Sequence, residues 1–393
     1  MRPARARPKA GAPDLAGGIA MALTGRAAVL DKPFGTFTVE EAVVPEVDPG
    51  GIIIRQEMTG VCGTDAHLYE GRLFYLKYPI VMGHEVVGTI ERLGPKVKTD
   101  SSGRPVKEGD RVYIIPGTRC GGTCYYCSVL LQPNLCLGAG GFGFRPYPDQ
   151  PIHFQGGFAD YQWLKEGTGF LKVETDAQTI CALEPLAIAT HVVTQYHFRP
   201  GETVAVQGAG AIGQLVCMVA KATGATKVIV IGAPESRLEL AKRMGADVAI
   251  NIEDAQTPAE RVALVQKETE GSFGADVVIE CTGVPAATVE GIDMLRRGGT
   301  YLVAGHFTDS GNVEINPFAH ITRKNITLRG IWSSERTHFV RARSLVESGK
   351  YPMRDVISHV LPLERLGDAI EAMRGRYRLD GEEIRKIGIA SAL

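Results

Sequence analysis

No stretch of this chain approaches the roughly 18 consecutive apolar residues that a membrane-crossing helix needs. Positive charge is not in surplus either. With 43 Lys and Arg against 44 Asp and Glu, the net charge is −1, which gives nucleic acid and anionic membranes no electrostatic footprint to bind. There is no internal repeat, and no low-complexity tract beyond the first 22 residues, so a repeat array is excluded. No signal-like apolar segment accompanies the 8 cysteines, and 393 residues is far longer than a disulfide-stapled domain. Reduced cytoplasmic thiols, several of them on metal, are the expectation.

What is present fits a soluble globular protein: 44% hydrophobic and 22% charged residues. The length favours two domains. Residues 1–22 are rich in Arg, Ala, Gly and Pro, with Asp14 the one acid. Such a basic leader resembles a transit peptide, but no arginine-lined amphipathic helix can be drawn in it. A disordered extension is expected, or an upstream start with Met21 as the true beginning.

From about residue 25 to 173, short apolar runs (51–58, 86–93, 111–115, 158–163) alternate with Gly and Pro, which predicts an irregular β unit. Residues 179–196 read as one helix leading out of it. A β–α alternation follows, with strands at 203–207, 227–231, 248–251, 275–281 and 300–305 and helices between them. That rhythm predicts a parallel, doubly wound sheet. It fades after about Lys324, and a late strand at 386–390 is placed to return to the first unit.

The strand at 203–207 runs directly into Gly208-Ala-Gly210-Ala-Ile212-Gly213, and a helix begins at once. Between a buried strand and a helix this pattern is a dinucleotide fingerprint. The glycines allow the turn, backbone approach to a pyrophosphate, and close helix packing, while the helix N-terminus offers free N–H groups. One part is missing. The second strand ends in Gly232 where an acid for the ribose hydroxyls is expected. Arg237 is placed to pair with a 2′-phosphate and Glu235 to repel it, so NAD and NADP both stay open, and weak discrimination between them is expected.

Metal-ligand residue types occur in two groups. Cys62 sits in a glycine turn with Thr64, Asp65 and His67 behind it, His84-Glu85 follows, and Glu184-Pro185 opens the exit helix. Cys120, Cys124, Cys127 and Cys136 crowd a short segment, dense enough for a closed structural zinc site. The ordered set Cys62-Gly-Thr-Asp-x-His67, Gly83-His-Glu-x-x-Gly88, Gly109-Asp-Arg-Val112, Gly156-Gly-Phe-Ala159, Glu184-Pro-Leu-Ala187 and Gly208-x-Gly-x-x-Gly213 resembles the medium-chain zinc alcohol dehydrogenases. The resemblance runs from about residue 22 to the end. Glu184-Pro-Leu-Ala187 is more similar to the sorbitol and threonine dehydrogenase branch than to the ethanol branch.

The resemblance implies a GroES-like catalytic domain (23–185 and 325–393), a Rossmann domain (186–324), and a cleft between them. It implies Cys62 and His84 as ligands of a catalytic Zn²⁺, with Glu85 and Glu184 supplying the remaining positions and Asp65 orienting His84. It further implies hydride exchange between a secondary alcohol or polyol and NAD or NADP, with protons relayed through Thr64 and His67. Small-molecule alcohols and ketones are then the partners, in a homodimer or homotetramer. The cysteine lobe departs from the family spacing by one extra residue in two gaps. The hydrophilic insertion at 99–107 and the long stretch at 138–155 are further departures. Pocket side chains are expected near Tyr69, Phe142–Phe144 and Trp332. A zinc-free reductase is disfavoured by the ligand set. A non-catalytic cofactor-binding or zinc-module protein is the competing class.

Overall fold

A computed structural model of the chain describes residues 22–73, 77–118, 120–138, 140–144, 153–375 and 377–391. The expected extension at 1–22 lies outside them except for Ala22, as do residues 145–152 of the long stretch. The first sheet begins with strands Ile52–Val61 (β1), Glu85–Leu93 (β2), Arg111–Ile115 (β3), Tyr161–Leu164 (β4) and Gly169–Lys172 (β5). A short helix, Gly63–Tyr69 (α1), follows β1.

The expected helix at 179–196 is two helices, Ala177–Ile180 and Leu183–Val193 (α2). Pro185 is the reason. In one continuous helix its ring would clash with the carbonyl four residues back and forfeit that hydrogen bond. Restarting at Leu183 puts Pro185 in a first turn, where an N–H has no intrahelical partner to lose.

The second sheet contains Thr203–Gln207 (β6), Lys227–Gly232 (β7), Val248–Asn251 (β8), Ala275–Glu280 (β9), Leu295–Val303 (β10) and Thr327–Gly330 (β11). Helices Ala211–Ala222 (α3), Glu235–Met244 (α4), Pro258–Lys267 (α5) and Pro285–Met294 (α6) connect them. All pairs are parallel, in the order β8-β7-β6-β9-β10-β11. Successive residues enter opposite cores: Val204, Val206, Val228 and Val230 on one face, Ala205, Ile229 and Ile231 on the other. A strand buried on both faces reads as an unbroken apolar run, as these do. β11 corrects the boundary drawn at residue 324. Its residues are exposed along its whole length, so as an edge strand it carries no apolar signal.

Helix Arg336–Glu347 (α7) then packs on α2, and His359–Pro362 (β12) and Ile387–Ala390 (β13) return to the first sheet. That sheet reads β5-β3-β2-β1-β13-β12, with β4 also on β1. The insertion at 99–107 docks on α7. Buried Asp100 accepts hydrogen bonds from the Ser102, Arg104 and Lys172 backbone N–H groups and from Arg343 Nη1 at 3.1 Å. Hydrogen bonding to the charged form holds the Asp100 carboxyl down against its burial.

Candidate active site

Three strand ends converge. β1 and β2 are antiparallel with Gly60 opposite Glu85, so the residues just past β1 meet those just before β2. β13 pairs with β1 on its other side, Ile387 opposite Val61, which brings Lys386 to the same end. Cys62, His84 and Glu85 therefore place one ligand atom each within 4.8 Å of one another, although His84 and Glu85 are buried.

Local capping fixes the first of these. Cys62 caps α1: its Sγ accepts from Thr64 N at 3.3 Å, and Asp65 Oδ2 accepts from Cys62 N at 2.9 Å. His84 Nε2 lies 3.3 Å from Cys62 Sγ, while its Nδ1 faces Asp65 Oδ1 at 3.6 Å. Neither of those last two atoms has a hydrogen-bond partner, and 3.6 Å is too long for a hydrogen bond. Asp65 nevertheless aims its carboxylate at the ring nitrogen away from the thiol, leaving Nε2 for a metal. Burial raises the Cys62 thiol, opposed by the His84 charge. Thiolate, imidazole and carboxylate gathered around one point fit Zn²⁺.

Glu184 stands apart from this trio: it is half-buried and outside the mutual 4.8 Å group. Its backbone N–H donates to Tyr113 Oη at 3.1 Å. Burial pushes its carboxyl up to about 7, partly offset by the charge of His84. Glu85 in turn is paired with buried Lys386, whose Nζ lies 2.8 Å from Oε1 and 2.7 Å from Oε2. Burial alone would lower the Lys386 amine, but the Glu85 charge holds it above its usual range. Sequence reasoning missed Lys386.

Thr64 and His67 stand three residues apart on α1, hence on one face. His67 Nδ1 is 3.8 Å from Glu70 Oε2, and its ring meets Phe307 edge-on with centroids 5.1 Å apart. Burial, then Arg72, lowers its pKa. Phe307 lies on the loop after β10, so this contact brings the C-terminal edge of the parallel sheet against α1. Phe144 packs on His84 at 4.9 Å between centroids. Other side chains expected at the pocket go elsewhere: Phe142 is buried in the core of the first sheet, and Tyr69 packs on Phe34 and Phe37. Trp332 is exposed beside the cysteine lobe, its carbonyl accepting from Asn134.

In that lobe the Cys120, Cys124, Cys127 and Cys136 sulfurs lie within 4.8 Å of one another despite the altered spacing. Thr123 and the Cys124 backbone N–H draw the Cys120 thiol down to about 5, whereas burial pushes Cys127 up to about 12. Four converging sulfurs with a ready thiolate fit a closed zinc site.

The cradle for a dinucleotide is formed by the β6–α3 turn. Gly208 has φ +103°, and a Cβ on Gly213 would overlap the Gly208 carbonyl, so both demand glycine. Around Gly210 the space is open, and α3 begins there without a side-chain cap, its first N–H groups free for an anion. Ile212 packs on the core behind. Arg237 is partly engaged: its Nη2 donates to Ile384 O at 2.7 Å and its guanidinium lies 4.5 Å from the Tyr377 ring centroid, while its Nε has no partner. Gly232 has no room for an acid, since a Cβ would come within 2.6 Å of Ala209 N and Cβ. Gly232→Asp should therefore weaken NADH and NADPH alike by overpacking the turn, at about 1–3 kcal/mol. Titration of each reduced cofactor checks this, and a selective gain for NADH would show that the turn yields.

A parallel cofactor sheet whose C-terminal edge faces a thiol, imidazole and carboxylate centre defines a metal-dependent dehydrogenase. The Alcohol dehydrogenase GroES-like domain matches residues 48–175 and the Zinc-binding dehydrogenase family matches residues 211–348. The chain is 34% identical over 345 residues to 5-exo-hydroxycamphor dehydrogenase of Pseudomonas putida, covering 86% of this chain and 92% of that protein. It is 33% identical over 342 residues to D-xylulose reductase A of Aspergillus niger, covering 85% and 90%. An alcohol dehydrogenase crystal structure from Thermotoga maritima superposes with a TM-score of 0.86 at 32% identity, covering 94% of this chain and all of that one. The chain belongs to the zinc-dependent medium-chain alcohol dehydrogenases, oxidoreductases that couple alcohols to NAD or NADP.

Proposed function

We propose that this chain interconverts secondary alcohols, polyols among them, with the matching ketones, using Cys62 and His84 as zinc ligands and Glu85 and Glu184 as alternating carboxylates. The observation that carries this is the gathering of Cys62, His84 and Glu85 at the edge of the cofactor sheet. Bound zinc supplies the Lewis acidity that makes an alcohol acidic, and bound nicotinamide supplies the hydride acceptor. Thr64 takes the hydroxyl proton as it gives up its own toward His67, one turn on, whose neutral ring accepts it and releases it to solvent. The lowered pKa of His67 keeps its ring neutral and able to accept at neutral pH. The Phe144 ring covers the metal end of this path, while Phe307 packs on His67 at the end that opens to solvent. A panel of alcohols and ketones followed by cofactor absorbance tests the reading. Failure to turn over any secondary alcohol would overturn it.

The relay has its own test. His67→Ala should lower kcat for alcohol oxidation by about 10-fold to 100-fold near neutral pH. The loss should shrink at high pH or with added imidazole, while zinc content stays the same. An unchanged pH–rate profile would remove the relay and leave the zinc assignment standing.

Residues 23–185 with 325–393 are proposed as the catalytic unit, amended by β11, which joins the cofactor sheet. The exposed edge of β11, with Leu328, Phe318 and Trp332 exposed nearby, supports a homodimer or homotetramer. Among the described residues no helix is long and apolar enough to cross a membrane. All cysteines there are free thiols, which supports a reducing, cytoplasmic setting.

A further inference from the structure

NAD and NADP differ by one phosphate dianion on the adenosine ribose, so an enzyme chooses between them by the charge it presents there. The usual carboxylate at the end of β7 is absent, and Gly232 cannot be replaced by one without collision. Glu235, at the start of α4, lies close by. Asn251 is the sheet partner of Gly232, and its Nδ2 donates to Glu235 Oε2 at 3.3 Å. The amide is oriented independently, because Asn251 Oδ1 accepts from Glu253 N at 2.9 Å. The carboxylate of Glu235 is thus tied to the C-terminal edge of β7 and β8, the edge on which a doubly wound sheet receives the ribose.

The positive charge at the same place is turned to other partners: Arg237, the nearest arginine in sequence, donates Nη2 to Ile384 O and stacks on Tyr377, with its Nε left unpartnered. Lys242 comes within 3.7 Å of Glu235 Oε1, an exposed contact that screens the acid without cancelling it. The turn after β8 adds Glu253 and Asp254. We propose that Glu235, positioned by Asn251, replaces the missing β7 carboxylate and makes this dehydrogenase selective for NAD over NADP. The inference rests on the β6–α3 turn being the cofactor cradle. It supersedes the weak discrimination expected from Gly232 alone.

The test is direct binding of NADH and NADPH to the zinc-loaded full chain, followed by nicotinamide fluorescence. At low salt NADH should bind at least about 10-fold more tightly, the scale of a like-charge contact near a surface. Glu235→Gln keeps an oxygen for Asn251 but removes the charge, and should close most of that gap. Glu235→Lys should reverse it. Because the contact is exposed, the wild-type gap should also narrow in roughly 0.5 M salt. Equal wild-type affinities, or an unchanged ratio in Glu235→Gln, would overturn the inference alone. So would a loss confined to NADPH in Arg237→Gln, because it would place the arginine on the phosphate. Absence of binding by both dinucleotides would overturn the cradle, and the inference with it.

Discussion

Cys62→Ala and His84→Ala proteins should lose alcohol oxidation by at least about 1,000-fold in kcat/KM, roughly 4 kcal/mol of transition-state stabilisation. Each removes one of the three groups whose ligand atoms lie within 4.8 Å. What remains cannot hold a cation firmly or polarise an alcohol. Elemental analysis should fall from about two zinc ions per chain to about one, because the four-cysteine lobe is a separate closed site. NADH binding should survive, since the β6–α3 turn is untouched. A variant that lacked the metal yet turned over at the wild-type rate would remove zinc from the chemistry. A wild-type count near one would remove the lobe's ion.

The second large effect concerns stability. Lys386→Met should cost about 3–5 kcal/mol, because it leaves the buried Glu85 carboxylate without its partner. The Lys386 and Glu85 side chains are 3% and 1% exposed, so water cannot replace the lost ammonium. Adding Glu85→Gln should recover much of the loss, because the double variant buries neither charge. Denaturant unfolding of the proteins stripped of catalytic zinc, so that Lys386 is the only counter-charge offered to Glu85, measures all four corners of the cycle. Independent, additive losses would show that the two groups do not depend on each other.

Legibility in the sequence followed the range of the interaction. Unbroken apolar runs such as 203–207 and 227–231 report strands buried on both faces, and Gly208, Gly210 and Gly213 report a local turn, so the parallel sheet and its cradle can be read directly. The Cys62 cap of α1 spans three residues and is equally local. Lys386 is different. Its partner Glu85 lies 301 residues away, and a lone lysine ahead of a short strand looks like any surface lysine. The contacts of Arg237 were hidden for the same reason: nothing near it in sequence announces Tyr377 or Ile384. The break before α2 was missed although Pro185 carried a local signal for it, whereas β11 carried none, because an exposed edge strand has no hydrophobic pattern.

The same separation sets a timetable for synthesis. β13 slots between β1 and β12, and Lys386 completes the wall behind Glu85. At about 5–20 residues per second, a ribosome needs roughly 15–60 s to make the 301 residues between Glu85 and Lys386. Throughout that interval the nascent first sheet holds an open β1 edge and an uncompensated acid beside its metal-ligand thiol. The emerging chain is at its most exposed to strand-pairing accidents then, and the arrival of β13 ends that exposure.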